Sequence, residues 1–221
     1  DYAVQVSVRK IQKGLIVINE EIVKAIVDEI KDRFSVMIEA SGRHIHLSRE
    51  DADKLFGKGY TFTIKKELSQ PGQFAYEERV TLTGPKGVIR NVAILGPCRK
   101  ETQVEISLTD ARVLGIDAPV RLSGDISNTP GCTVSSPSAS VEIKQGVIIA
   151  KRHIHLTPED AAKFNVKDDD SVKLKIYADR PVIFEDLIAR ISKQFSTAVH
   201  IDYDEANACG FKNGCRGLII Q

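Results

Sequence analysis

The sequence predicts a mainly β protein made of two related halves, and three observations carry that expectation. Short β-branched runs such as Val80–Leu82, Val88–Leu95 and Val172–Ile176 are broken by glycine, proline and aspartate, a pattern that suggests small barrels or sandwiches. A twelve-residue stretch recurs: Arg43-His-Ile-His-Leu-Ser-Arg-Glu-Asp-Ala-Asp-Lys returns at Arg152 as Arg-His-Ile-His-Leu-Thr-Pro-Glu-Asp-Ala-Ala-Lys, 109 positions later. Between the copies, residues 127–140 (SNTPGCTVSSPSAS) are rich in Ser, Pro and Gly and poor in bulky apolar side chains, the composition of a loop or linker.

Residues 19–34 read as an amphipathic helix. Asn19 can cap it, Glu20 and Glu21 suit its positive end, and Ile22, Val23, Ile26, Val27 and Ile30 form one stripe whose default use is core packing. In each copy of the repeat, an alternating, strand-like stretch runs into a helix start. Ser48 or Thr157 is the N-cap, Asp51 or Asp160 follows three residues later, and Pro158 takes the first helical position of the second copy. A weaker echo follows, because Val104-Glu-Ile-Ser-Leu-Thr-Asp-Ala matches Val199-His-Ile-Asp-Tyr-Asp-Glu-Ala at an offset of 95, which sets Glu105 against His200. The first half therefore holds 14 extra residues. Their expected place is Lys65–Glu78, where Pro71 and Gly72 suggest a turn between extended segments that could form a flap.

Composition narrows the function classes. The chain has 221 residues, 42% of them apolar, enough for sizeable cores. Its 31 Lys and Arg nearly balance 30 Asp and Glu, so net charge gives no reason to expect nucleic acid or an anionic membrane as partner. No apolar run approaches the roughly 20 residues of a membrane span. Cys98, Cys132, Cys209 and Cys215 form no CxxC pair and no signal peptide is seen, so a soluble protein of a reducing cytoplasm is expected.

All five histidines fall inside the repeat system: His44, His46, His153, His155 and His200. Residues two apart in a strand point to one face, so each His-Ile-His presents two imidazoles side by side while its isoleucine turns to the core. A metal such as zinc wants about three protein ligands and an open position for chemistry. The echo supplies the third, giving His44, His46 and Glu105 in one set and His153, His155 and His200 in the other. A lone His-x-His pair is more often an ordinary strand feature, and a strand glutamate is usually solvated; duplication with aligned third positions turns the balance toward two metal sites meeting between the halves. The turn Gly96-Pro-Cys-Arg99-Lys100 would place a guanidinium near the first set if the strand returns there, and Arg suits phosphate because its fork donates two parallel hydrogen bonds; a solvated loop cation is the other reading of the same residues. Arg43 and Arg152 point away from the histidine face of a strand, so a structural ion pair is the expectation for each.

The segments SGRHIHLS, SQPGQFAYEE, ILGPCRKETQVEIS, KRHIHLT and VHIDYDEANACGF resemble the PduL-type phosphotransacylases, the phosphate propanoyltransferases, over about Ile38–Leu218. The resemblance implies two small β-barrel domains from the internal repeat, each capped by short α-helices, with an N-terminal helix added. Residues 1–34 would be the N-terminal segment and helix, 35–42 plus 151–221 a discontinuous first barrel, and 43–150 the second, with 65–78 as a flap over the active site. It implies two Zn2+ per chain on the two ligand sets above, Arg99 as the catalytic residue contacting phosphate, and coenzyme A near Ser41, Lys66, Leu95 and Asn207. Gln70, Pro71 and Gly72 match the family's flap. It further implies acyl-CoA and phosphate as substrates and a bacterial cytoplasmic location; no nucleic acid or membrane partner is expected from the composition, and a homodimer is the expected assembly, which no sequence feature fixes. Some members carry an N-terminal peptide directing them into a microcompartment; residues 1–18, with alternating Tyr2, Val4, Val6 and Val8, do not resemble the family, and targeting with shell or lumen partners stays open. The competing chemistry is a two-metal hydrolase, since paired metals also activate water.

Overall fold

The computed structural model describes residues 19–220; the alternating segment at Tyr2–Val8 lies outside the described residues. The chain divides into two units, residues 1–34 and 35–221. In the first, helix α1 (Glu20–Phe34) starts where the sequence places it, with the Glu21 amide donating to Asn19 Oδ1 at 2.9 Å. Its stripe residues Ile22, Ile26 and Ile30 are exposed, so the helix makes no core of its own from them.

In the second unit the elements follow in chain order as β1 (Ser35–Ser41), β2 (His44–His46), α2 (Arg49–Phe56), β3 (Ile64–Glu67), β4 (Phe74–Thr83), β5 (Val88–Gly96), β6 (Gln103–Ile106) and α3 (Leu108–Leu114). Next come β7 (Val120–Arg121), β8 (Cys132–Ser135), β9 (Ser140–Ile143) and β10 (Val147–Ala150). The second half adds β11 (His153–Leu156), α4 (Pro158–Phe164), β12 (Ser171–Ile176), β13 (Val182–Ile191), β14 (Ala198–Asp202), α5 (Tyr203–Cys209) and β15 (Arg216–Ile220). The mainly β class with short capping helices is the one read from the sequence. Six strands close a barrel in the order β1-β14-β11-β13-β12-β15, and a nine-stranded sheet runs β7-β10-β6-β2-β5-β4-β8-β9 with β3 paired to β4. Although β1 precedes the first histidine pair, it pairs with β14 and β15 near the C-terminus.

The repeat works as one local device used four times. A short strand ends at a residue whose side-chain oxygen caps the next helix. Ser48, Ser107, Thr157 and Asp202 accept from the amides of Asp51, Asp110, Asp160 and Glu205. At Ser107 and Asp202 the acidic residue also bonds back to the cap amide, completing a capping box. The strand side chains between the histidines become core: Ile45 and Ile154 have no exposed surface. Ile45 packs with Leu82, Ile94, Val104 and Val147 under the open sheet, and Ile154 with Ile38, Leu174 and Val199 inside the barrel. Strand β3, which has no counterpart between α4 and β12, is exposed on all four positions.

Because Ile154 is fully buried in the barrel core, Ile154→Ala is expected to cost about 2–5 kcal/mol of stability. Chemical denaturation followed by circular dichroism reads it; a midpoint matching the unmodified protein would contradict this packing.

Candidate metal centre and active-site cavity

Strand register brings the histidines to their third partners. Strands β2 and β6 are antiparallel with His44 opposite Glu105, and β11 and β14 are antiparallel with His153 opposite His200. Cross-strand partners share a face of the sheet, so each pair of imidazoles meets one further donor without help from a loop. The donor atoms of His44, His46 and Glu105 lie within 4.8 Å of one another, as do those of His153, His155 and His200. Ring centroids in the second cluster are 4.8–5.1 Å apart.

The hydrogen bonds to two of these rings leave a nitrogen lone pair free on each. His44 Nδ1 is 2.8 Å from Gly42 O and His153 Nδ1 is 2.9 Å from Lys151 O. A carbonyl only accepts, so in each ring Nδ1 is the donor, and in the neutral imidazole Nε2 keeps its lone pair. His155 Nδ1 is buried with no hydrogen-bond partner among the described residues, the state of an atom awaiting a partner of another kind. Burial, reinforced by the neighbouring histidine and by Arg99 or Arg190, pushes His46 and His155 down to about 3. Burial also lowers His153 and, with His153 and His155 adding to it, holds His200 well below the usual imidazole range. Burial opposes charge on both His44 and Glu105 too, but their mutual attraction outweighs it, raising the imidazole and holding the carboxyl well below its ordinary range.

Four neutral imidazoles and a carboxylate–imidazole pair are a donor set for a borderline metal. A tetrahedral zinc with bonds near 2.1 Å needs donors roughly 3.4 Å apart. His44 Nε2 and Glu105 Oε2 are 3.4 Å apart, and His46 Nε2 lies 3.9 Å from Glu105 Oε1. The residues fit such an ion.

Both clusters open on one cavity of about 1560 Å3, which Ser41, Lys66, Gln70, Leu95, Arg99 and Asn207 also line. Pro71 and Gly72 instead line a smaller space of about 300 Å3 that shares His46, Gln73 and Arg99 with the first. Arg99 follows the cis Gly96–Pro97 bond, and its amide donates to Leu47 O at 2.9 Å. A Cβ on Gly96 would stand 2.0 Å from the Tyr76 hydroxyl, so a larger residue in this turn would have to displace that ring. The turn 68–73 between β3 and β4 reaches the barrel: Gln70 is buried, its Nε2 donating to Ser196 O at 2.9 Å and its Oε1 accepting from Ser196 N at 3.3 Å.

Several residues here carry no sequence signal. Ser123, in the loop after β7, donates to Glu105 Oε1 at 2.7 Å and accepts from Arg99 Nη1 at 3.0 Å and Gln103 Nε2 at 2.9 Å. One hydroxyl thus ties the carboxylate to the arginine. Phe195 lies 4.1 Å, centroid to centroid, from His155, and Glu39 Oε2 is 3.6 Å from His200 Nδ1. Gln103 was within reach of strand periodicity, being two residues before Glu105 and on the same face; its Nε2 donates to Glu105 Oε1 at 2.5 Å.

The family model described as phosphate propanoyltransferase matches residues 37–212. The chain belongs to the phosphate propanoyltransferase family. Similar proteins of that name occur in Clostridioides difficile (strain 630), 55% identical over 91% of this chain and 96% of the relative, and in Listeria monocytogenes, 55% identical over 92% and 97%. A third, from Enterococcus faecalis, is 55% identical over 91% of this chain and 95% of its own. The family match therefore spans both histidine clusters, the β3–β4 turn and the Arg99 turn together. Among the described residues no helix is long and apolar enough to cross a membrane.

If each cluster is one metal site, zinc-loaded His155→Ala should hold about one equivalent of metal fewer than the unmodified protein, since two donors rarely retain zinc. Elemental analysis after gel filtration measures it; undiminished metal would refute the ligand set.

Proposed function

We propose that the protein transfers an acyl group, propanoyl by the family's name, between coenzyme A and inorganic phosphate at a dinuclear metal site between its two β modules. The observation that carries this reading is the convergence of two three-donor clusters and Arg99 on one cavity large enough for an extended cofactor. His44, His46 and Glu105 would hold one zinc ion and His153, His155 and His200 the other. When bound, the metals supply Lewis acidity that favours the thiolate over the thiol and polarises the acyl carbonyl.

The chain's own groups do the rest. In the forward direction a phosphate oxygen forms a bond to the thioester carbonyl carbon, the carbon–sulfur bond breaks, and coenzyme A leaves as thiolate. Arg99 binds the phosphate and offsets its charge, and Ser123 holds that guanidinium in line with Glu105. No side chain is needed as a covalent nucleophile. Ser41, Lys66, Leu95 and Asn207 are read as coenzyme A contacts along the cavity wall. The Gln70–Ser196 contact would close the flap residues over the site and limit water, which otherwise hydrolyses acyl phosphate. Acyl-CoA and phosphate are its partners on this reading, and we place it as a homodimer in the bacterial cytoplasm or a microcompartment.

The test is thiol release from propanoyl-CoA with and without phosphate, on metal-replete and chelator-treated protein, with acyl phosphate trapped as hydroxamate. Hydroxamate that needs both metal and phosphate is expected; thiol release indifferent to phosphate would make the protein a hydrolase instead. In the same assay Arg99→Ala should lower turnover roughly 100-fold or more, the scale of losing a preorganised charge-stabilising donor. Unaltered phosphate kinetics would sink that role.

A further inference from the structure

The arginines nearest the histidines in sequence are spent on structure. Arg43 pairs with Asp110 at 2.9 and 3.0 Å, and Arg152 Nε with Glu205 Oε1 at 2.7 Å. Arg79 turns back on the carbonyls of Tyr76, Glu77 and Glu78. Arg190 differs: among the described residues its side chain has no ion pair or hydrogen bond. It is half-buried and lines the large cavity.

Its direction follows from register. Strand β13 runs parallel to β11 with Arg190 opposite His155, so both side chains leave the same face of the barrel sheet. Arg99 lines the same cavity from the loop after β5, in the other sheet. The two guanidiniums are near enough that Arg190 is among the influences lowering Arg99, and it acts likewise on His153 and His155. Of the carboxylates lining the cavity, Glu105 pairs with His44 and Glu39 with Ser69 at 2.6 Å, while Glu67 lines it from β3. Two guanidiniums thus converge on one cavity, Arg99 tied to Glu105 through Ser123 and Arg190 with no ion pair among the described residues, an arrangement that attracts an entering dianion.

We propose that Arg190 is a second phosphate-contacting residue, so that one guanidinium from each β module grips the same phosphoryl group. Two forks can hold a tetrahedral oxyanion by several oxygens and still leave one to attack the thioester. The inference rests on the acyltransferase reading, and the experiment separates the two.

Phosphate and propanoyl-CoA kinetics are measured for the unmodified enzyme, Arg190→Gln and Arg190→Lys, each zinc-loaded and checked for metal content. Arg190→Gln should raise KM for phosphate about 10- to 100-fold, as expected for loss of a charge-assisted pair, with KM for propanoyl-CoA moving less than about threefold. Lysine, which restores charge but not the fork, should recover part of the loss. Where Arg190→Gln is too slow to assay, the upward shift of its thermal midpoint by inorganic phosphate is compared with the unmodified enzyme; a diminished shift supports the clamp and an equal shift overturns it. A phosphate KM within about twofold of the unmodified enzyme overturns the clamp and leaves the acyltransferase standing. If the unmodified enzyme itself consumes propanoyl-CoA without regard to phosphate, the underlying reading falls instead.

Discussion

The site depends on antiparallel register between each His-Ile-His strand and its neighbour. With His44 opposite Glu105 and His153 opposite His200, three donors share one face of each sheet. A slip of one residue would turn the histidines to the core and the isoleucines to the cavity. Ile45 and Ile154, fully buried between the histidine pairs, oppose that slip. So do the caps at Ser48 and Thr157, which fix where each strand ends and each helix begins. Core packing and site geometry are therefore one constraint seen from two faces of the same strand.

Duplication made two similar clusters, and the differences between them shape the chemistry. The Glu105 cluster contains a carboxylate and is joined through Ser123 to Arg99, so carboxylate, hydroxyl and guanidinium form one connected set. The His200 cluster is all imidazole, has Phe195 against His155, and has Arg190 in register beside it. One side thus carries a carboxylate and a tethered cation, the other imidazoles alone and a cation that has no ion pair among the described residues. On the proposed reaction this asymmetry suits substrates that must be held differently, a soft sulfur leaving group and a hard tetrahedral anion.

Much of this was legible in the sequence because it repeats. The His-Ile-His copies, the cap-and-acid spacing and the Glu105–His200 echo each encode a local rule that survives folding, and the mainly β class with capping helices follows from them. The ion pairs of Arg43 and Arg152 followed from strand alternation alone. What could not be read was set by long-range pairing. Ser123 lies 18 residues from Glu105 in a loop without a motif, and Arg190 gains meaning only when β13 pairs with β11. The nine-stranded order of the other sheet depends likewise on which edges meet, which no local pattern specifies.

The claim at the centre of this account is that the duplicated strand units form two metal sites facing one cavity. Anomalous diffraction at the zinc absorption edge, from crystals of zinc-loaded protein, tests it most directly. Two peaks are predicted, one among His44, His46 and Glu105 and one among His153, His155 and His200. A single peak, or metal bound away from these side chains, would contradict it.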